Sequence, residues 1–292
     1  MRKLWRRVVA AWVLAVFCVA ARCGAQVNPA WLRPFPAFRI AGNLYYVGSE
    51  DLASYLIVTR KGNILINSNL EQSVPMIEKS VESLGFKMSD IKLLLISHAH
   101  YDHCAGSAAI LKMTGAQYAV MDGDVSVVES GGRDDFQYGN DKSMAFPPAQ
   151  VDRRLHDGDT VSLGGATLTA HLTAGHTKGT TTWTMNVKRG KKTLHVVIVG
   201  SPNVNPGYKL FGSVAYPQIA SDYVKGFREL HELPVDIFLG AHGSYFGLIE
   251  KYHRFEHGEK DAFIDPRGYD VYIREREQAF LIEMRKQQTG KN

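Results

Sequence analysis

Three imidazoles and a carboxylate fall within six residues in the stretch Ser97-His98-Ala99-His100-Tyr101-Asp102-His103-Cys104-Ala105-Gly106. Neutral imidazole nitrogen and carboxylate oxygen are ligands that zinc accepts, and so dense a run on one tight turn aims side chains in two directions, enough for two adjacent ions. A lone loop histidine is ordinarily a hydrated polar residue. His-x-His-x-Asp-His directly after an apolar run supports the metal reading instead, because sequence and context agree.

Two more histidines stand where strands are expected to end. Thr173-Ala174-Gly175-His176-Thr177-Lys178-Gly179 places His176 in a Gly-flanked turn after an expected strand at 166–173, and Leu239-Gly240-Ala241-His242-Gly243 does the same after 235–239. Glycine permits unusual φ and close backbone approach, so both histidines can be carried to the edge that holds the first cluster. Taken singly, each reads equally well as a satisfied turn histidine; beside 98–103, ligation is the stronger reading. His156, His171, His195, His231, His253 and His257 fall in expected turns, strand alternations or helix faces and are read as surface or structural residues.

The elements around the cluster place it on a rigid mount. Leu93-Leu94-Leu95-Ile96 is short and evenly apolar, the pattern of a strand buried on both faces, and residues 105–114 are small and apolar at helical spacing, with Gly115 as C-cap. The cluster is therefore expected on a strand-to-helix loop at the carboxyl end of a sheet strand, where open α/β sheets carry ligands. Upstream, an extended arm at 31–36 leads to strands at 38–47, 54–59 and 64–67, with a hairpin turn at 60–63. An amphipathic helix at 73–84 follows, with Val74, Ile77, Val81 and Leu84 on one side and Gly85 closing it. A strand is expected at 118–121 and an irregular loop at 131–148. Strands return at 160–163, 166–173, 180–187 and 194–199, separated by turns at Gly164-Gly165 and 188–192, before a helix at 223–233, a buried strand at 235–239 and helices at 245–255 and 269–287. Each half gives hairpins, then a helix and a buried strand. That order predicts an α/β protein with two sheets face to face and helices outside, a four-layer αββα sandwich.

The amino terminus has the layout of a secretory signal peptide: basic Arg2, Lys3, Arg6 and Arg7, an apolar run at 8–21, and Ala25 as cleavage point. The run is too short, and too soon broken by Arg22, for a membrane anchor. Phe17 before Cys18 and Arg22 before Cys23 disfavour a lipoprotein signal. Export to a periplasm is expected. Residues 1–25 hold five basic residues and no acid, so without them the 34 basic residues fall to 29, equal to the 29 acidic ones, and the formal +5 becomes zero. A nucleic-acid partner thereby loses its electrostatic support. Cys18 and Cys23 leave with the same segment, and Cys104 alone cannot form an internal disulfide. Residues 26–292 contain no Pro-, Gly- or Ser-rich linker and no charge block, and are read as one catalytic domain.

His98-x-His100-x-Asp102-His103, then Gly-His176-Thr-x-Gly, then Gly-Ala-His242, in this order on this pattern of hairpins and helices, closely resemble the metallo-β-lactamase superfamily, and within it subclass B3. The resemblance covers essentially all of residues 26–292 and implies the metallo-β-lactamase fold. It implies two Zn2+ ions, one held by His98, His100 and His176 and the other by Asp102, His103 and His242. Position 201 carries the subclass. Glyoxalase II-like and ribonuclease-like members typically have a bridging aspartate there and B1 or B2 lactamases a cysteine ligand, whereas this chain has Ser201. Asn203-Val204-Asn205-Pro206-Gly207-Tyr208 resembles the B3 loop that meets the substrate, which makes Ser201, Asn205 and Tyr208 substrate-contact candidates; a polar turn is an equal reading of Asn205 and Tyr208. Two departures stand out. Asn67 occupies a position where many members have an aspartate that supports the metal loop, and Cys104, read as a buried small side chain, directly follows a ligand.

The activity implied is hydrolysis of the β-lactam ring of penicillins, cephalosporins and carbapenems, conferring antibiotic resistance. A bridging hydroxide would be the nucleophile, Asp102 would orient it, and the second zinc would stabilise the lactam nitrogen as the C–N bond opens. The expected partner is a small-molecule β-lactam, with no nucleic acid, no stable membrane association after signal cleavage, and a monomeric protein. Two alternatives remain open: another exported dinuclear zinc hydrolase, such as a lactonase or thioester hydrolase, and a non-enzymatic periplasmic zinc-binding protein. Export and the missing bridging aspartate weigh against the first. The second fits poorly because structural zinc sites are usually closed by four ligands.

Overall fold

The computed structural model describes residues 28–290, so the expected signal segment 1–25 lies outside the described residues. The described chain starts with helix α1 (Pro29–Leu32), which takes only the first two residues of the arm expected at 31–36; the Asn28 side chain accepts the Ala30 N–H at 3.1 Å and Pro29 occupies the first helical position. Strand pairs β1 (Phe38–Ala41) with β2 (Leu44–Tyr46), and β3 (Tyr55–Thr59) with β4 (Gly62–Ile66), form hairpins. The single strand expected at 38–47 is thus two, folded back at Gly42, whose φ of +53° suits glycine.

Helix α2 (Val74–Ser83) leads to β5 (Ile91–Leu95), the short α3 (Tyr101–Cys104), α4 (Ser107–Thr114), β6 (Gln117–Met121), α5 (Asp122–Glu129) and the edge strand β7 (Arg153–Leu155). The second half runs β8 (Thr160–Leu163), β9 (Ala166–Leu172), β10 (Thr181–Arg189), β11 (Lys192–Val199), α6 (Ile219–Glu232), β12 (Ile237–Gly240), α7 (Leu248–Glu256) and α8 (Pro266–Thr289). α5 and β7 go beyond the sequence expectation. Asp122 and Asp124 in the first turn favour a helix start, but Gly123 between them masks it, and β7 has only one buried residue of three.

One sheet has seven strands in chain order, β1 to β7, parallel from β4 onward; the other has five, ordered β12-β11-β10-β9-β8. Period-2 alternation sorts the first sheet's side chains between two cores. Tyr55, Ile57, Ile64 and Ile66 point into the space between the sheets with Trp183, Met185 and Leu168, while Leu56 and Leu65 face the other way against Val74, Ile77 and Ile110 of α2 and α4. On the far side Phe227, Leu230, Ile273 and Phe280 of α6 and α8 cover the second sheet beside Phe238. This is the four-layer αββα sandwich. No helix among the described residues is long and apolar enough to cross a membrane.

Both sheets end their site-bearing strands at one rim, and buried polar bonds lock it. The Trp183 indole N–H donates to the Ile96 carbonyl at 2.9 Å, the Thr181 N–H to the Ser97 carbonyl at 2.7 Å, and the Tyr55 hydroxyl to the Gly240 carbonyl at 2.7 Å. Each contributes about 1 kcal/mol net, but leaving a partner unpaired at this depth costs about 1–3 kcal/mol. The rim is held in register by the same contacts that close the core.

Candidate metal centre

His98 lies just past β5, His100 caps the amino end of α3, and Asp102 and His103 lie on that helix, so the expected loop is half helical. Within one turn, the helix sets Asp102 and His103 side by side and next to His98, the ligand atoms of the three lying within 4.8 Å of one another. His176 stands in the turn after β9. Gly175 before it has φ +134°, and a Cβ there would meet the Tyr223 ring at 2.5 Å, so only glycine lets this turn close. His242 follows β12, whose pairing with β11 brings it to the same edge.

The six residues expected as ligands meet there in two groups. Ligand atoms of His98, His100 and His176 lie within 4.8 Å of one another. In the second group, His103 Nε2 is 3.1 Å from His242 Nε2 and 3.3 Å from Asp102 Oδ2, and His242 Nε2 is 3.6 Å from Asp102 Oδ2. A tetrahedral zinc with arms of about 2.0–2.1 Å has ligand-to-ligand edges of about 3.3–3.4 Å. The three edges bracket that length, so this donor set fits zinc. His98 is 2% exposed and His103 fully buried, and His103 Nδ1 and His100 Nε2 find no hydrogen-bond partner within the protein.

Electrostatics agree with ligation by neutral imidazole. Burial, and then the neighbouring imidazoles, hold His98 well below its ordinary pKa; burial does the same to His176 and lowers His103. Asp102 remains anionic, since His103 and His242 beside it outweigh the burial that opposes its charge. Burial raises the Cys104 thiol well above its usual range, and neighbouring Asp124 and Asp102 add to this, so Cys104 is kept as a thiol in the apolar layer under the site.

Groups behind these side chains fix their rings. His242 Nδ1 is 3.0 Å from Asp51 Oδ2, which also accepts the Trp31 indole N–H at 3.1 Å. His176 Nδ1 donates to the Asn203 carbonyl at 2.8 Å, leaving its Nε2 free for a metal. His98 Nδ1 pairs with Ser97 Oγ at 3.2 Å, and His100 Nε2 lies 3.6 Å from Asp135 Oδ2. Asn67, φ +64°, supports the loop as an amide: its oxygen accepts the Ser97 N–H at 2.7 Å while its nitrogen donates to the Ala53 carbonyl at 3.2 Å. A carboxylate could make the first bond but not the second.

The ligands open on a cavity of about 260 Å³ lined by His100, Asp102, His176 and His242, by Trp31, Tyr101, Met144 and Phe146 as apolar walls, and by Tyr138, Asn203, Asn205 and Tyr245 as neutral polar groups. Among the described residues no lysine or arginine lines it. Asn205 lies on the wall and donates to the Tyr138 hydroxyl at 3.0 Å. The other two substrate-contact candidates lie behind it. Ser201 is 1% exposed and shares its hydroxyl with Tyr245 at 3.1 Å; Tyr208, 2% exposed, donates to the His176 carbonyl at 2.8 Å. Ser201→Ala is therefore expected to leave zinc content unchanged and to raise KM severalfold with kcat within about twofold, through loosened Tyr245 and Asn203. A zinc site emptied by this substitution would show the ligand set to be wrong.

Asp51, Asp135, Trp31, Asn203 and Tyr245 were not singled out from sequence. Asp51 and Asp135 are common residue types with no motif around them, and Asp51 is separated from His242 by 191 positions; Asn203 opens the 203–208 stretch, in which Asn205 and Tyr208 were the residues read as substrate contacts. The remaining histidines lie elsewhere, His171 with Glu229 at 2.8 Å, His195 with Asp236 at 3.0 Å and His231 with Glu277 at 2.9 Å.

Residues 52–190 match the family described as the metallo-beta-lactamase superfamily. Among solved structures, the chain is similar to the FEZ-1 metallo-beta-lactamase from Legionella gormanii, with 56% identity, a TM-score of 0.87, and coverage of 88% of this chain and 98% of that one. It is also similar to BJP-1, a subclass B3 metallo-beta-lactamase of Bradyrhizobium japonicum, at 36% identity and TM-score 0.84, covering 90% and 99% of the two chains. A third likeness is to LRA-12, a class B3 di-zinc metallo-beta-lactamase from an Alaskan soil metagenome, at 36% identity and TM-score 0.84, covering 88% and 97%.

Proposed function

The chain belongs to the metallo-β-lactamase superfamily, and from that premise we propose that it is a subclass B3 enzyme that opens the β-lactam ring of antibiotics with two zinc ions. The observation that carries the reading is the pair of ligand groups side by side on one cavity wall, the second with tetrahedral edge lengths. His98, His100 and His176 would hold one ion and Asp102, His103 and His242 the other. Bound there, the ions supply a water ionised near neutral pH and positive charge for the lactam oxygen and nitrogen.

The protein's own residues do the rest. Asp102, anionic and at the cavity surface, accepts a hydrogen bond from the attacking water and orients it. The substrate's carboxylate is met by neutral donors, Asn203, Asn205 and Tyr245, since no cationic side chain lines the wall. Trp31, Tyr101, Met144 and Phe146 pack on the apolar part of the bicyclic ring system and exclude bulk water, which strengthens each polar contact. Asp51 and the Asn203 carbonyl keep His242 and His176 in the tautomer that presents Nε2 to a metal.

Residues 26–292 form the catalytic unit in this reading, monomeric and delivered to the periplasm by the segment 1–25. Nitrocefin assayed beside an acyl thioester tests the substrate class. Rapid nitrocefin turnover with thioester hydrolysis at background is expected, and the reverse pattern would assign the site to thioester hydrolysis.

A further inference from the structure

Asp124 lies in the first turn of α5, is 1% exposed, and takes part in neither ligand group. Its Oδ2 accepts the Ala99 N–H at 2.8 Å and the Thr177 hydroxyl at 2.8 Å, and its Oδ1 accepts the Gly179 N–H at 2.8 Å. Ala99 is the residue between His98 and His100, and Thr177 and Gly179 follow His176. One buried carboxylate therefore joins the two chain segments that carry the three histidines of the first group, and none of its three bonds comes from a cation.

The local backbone is shaped around this junction. A Cβ on Gly179 would come within 2.6 Å of the Asp124 N and 2.7 Å of its Cγ, and a Cβ on Gly123 within 2.4 Å of the Lys178 carbonyl oxygen. The loop after His176 is pressed against the start of α5 as closely as backbone permits. Burying an anion without a countercharge is costly unless donors surround it. Three donors surround it here, and they come from the two segments that carry His98, His100 and His176.

We propose that Asp124 is a positioning residue that sets the spacing of His98 and His100 against His176 and so determines the metal affinity of that group alone. A carboxylate can serve three donors from two segments because both oxygens accept. An asparagine has one accepting oxygen, and its NH2 would face a backbone N–H or a hydroxyl already committed to Thr180 at 2.8 Å. The second ligand group owes little to this clamp, because Asp102 and His103 are held by α3 and His242 by Asp51.

The inference rests on the ligand assignment proposed above, and the test separates the two. Zinc affinity is measured by competition with a chromophoric chelator in two backgrounds, His103→Ala, which leaves the first group intact, and His176→Ala, which leaves the second. If either background alone still binds two ions, the ligand assignment has failed, and with it the basis for the clamp. With one ion in each, adding Asp124→Asn is expected to weaken binding about 10–100-fold in the His103→Ala background and less than about threefold in the His176→Ala background. Thr177→Val, which keeps side-chain shape and removes one of the three bonds, should show a smaller loss with the same selectivity, and it decides the matter if Asp124→Asn does not fold. Equal weakening in both backgrounds would assign Asp124 a general structural role, and undiminished affinity in the His103→Ala background would remove it from the metal centre.

Discussion

Stripping the protein of zinc with a chelator is expected to lower its kcat on nitrocefin by at least about a thousandfold, and two equivalents of zinc should restore it. Removal of one preorganised charge-stabilising group from an active site costs about a hundred- to a thousandfold, and here the nucleophile and the charge sink would leave together. No side chain can take over. Ser201 is buried against Tyr245 and Asn203, and burial keeps the Cys104 thiol protonated beneath the cavity wall. The same treatment should lower the thermal midpoint, since an ion present at a thousandfold over its Kd stabilises the fold by about 4 kcal/mol. Metal content by mass spectrometry, read beside rate and midpoint, checks all three. Full turnover in protein that retains less than about a tenth of an ion per chain would overturn a mechanism in which metal supplies the attacking water.

The same residues show how far a sequence can carry such a site. His98, His100, Asp102 and His103 announce themselves because ligand types at that density serve no ordinary loop, and His176 and His242 are flagged by the glycines that let their turns approach. The sandwich was legible too, because each half of the chain reads as hairpins followed by a helix and a buried strand, and Tyr55–Thr59 and Gly62–Ile66 are largely apolar on both faces, as a sheet between two cores requires. The groups that aim these side chains were hidden. Asp51, Asp135 and Asp124 are single carboxylates in turns or at a helix start, where aspartate is common for local reasons, and only the closed rim reveals that each faces a histidine or its loop. α1 and α5 were missed for a related reason. Both are one or two turns long, too short for apolar periodicity to accumulate, and their caps and first-turn acids are the only signs they carry.

His103→Ala is expected to bring zinc down toward one ion per chain and to lower kcat by more than about a hundredfold, whereas Cys104→Ala, one residue on, should keep both ions and most of the activity. His103 Nε2 stands 3.1 Å from His242 Nε2 and 3.3 Å from Asp102 Oδ2. Without it the second group retains two ligands of the three that a catalytic zinc site ordinarily has. Cys104 has no such place. It is 1% exposed, belongs to the apolar layer between α2, α4 and the first sheet, and should cost about 1 kcal/mol of stability when truncated. Because the two positions are adjacent on α3, a general disturbance of the helix would affect both variants alike, so the contrast isolates ligation from folding. Calorimetric titration of both with zinc decides it. A second ion bound normally by His103→Ala, or lost from Cys104→Ala, would place the thiol in the ligand set and would require Cys104 to turn from the apolar layer toward His242.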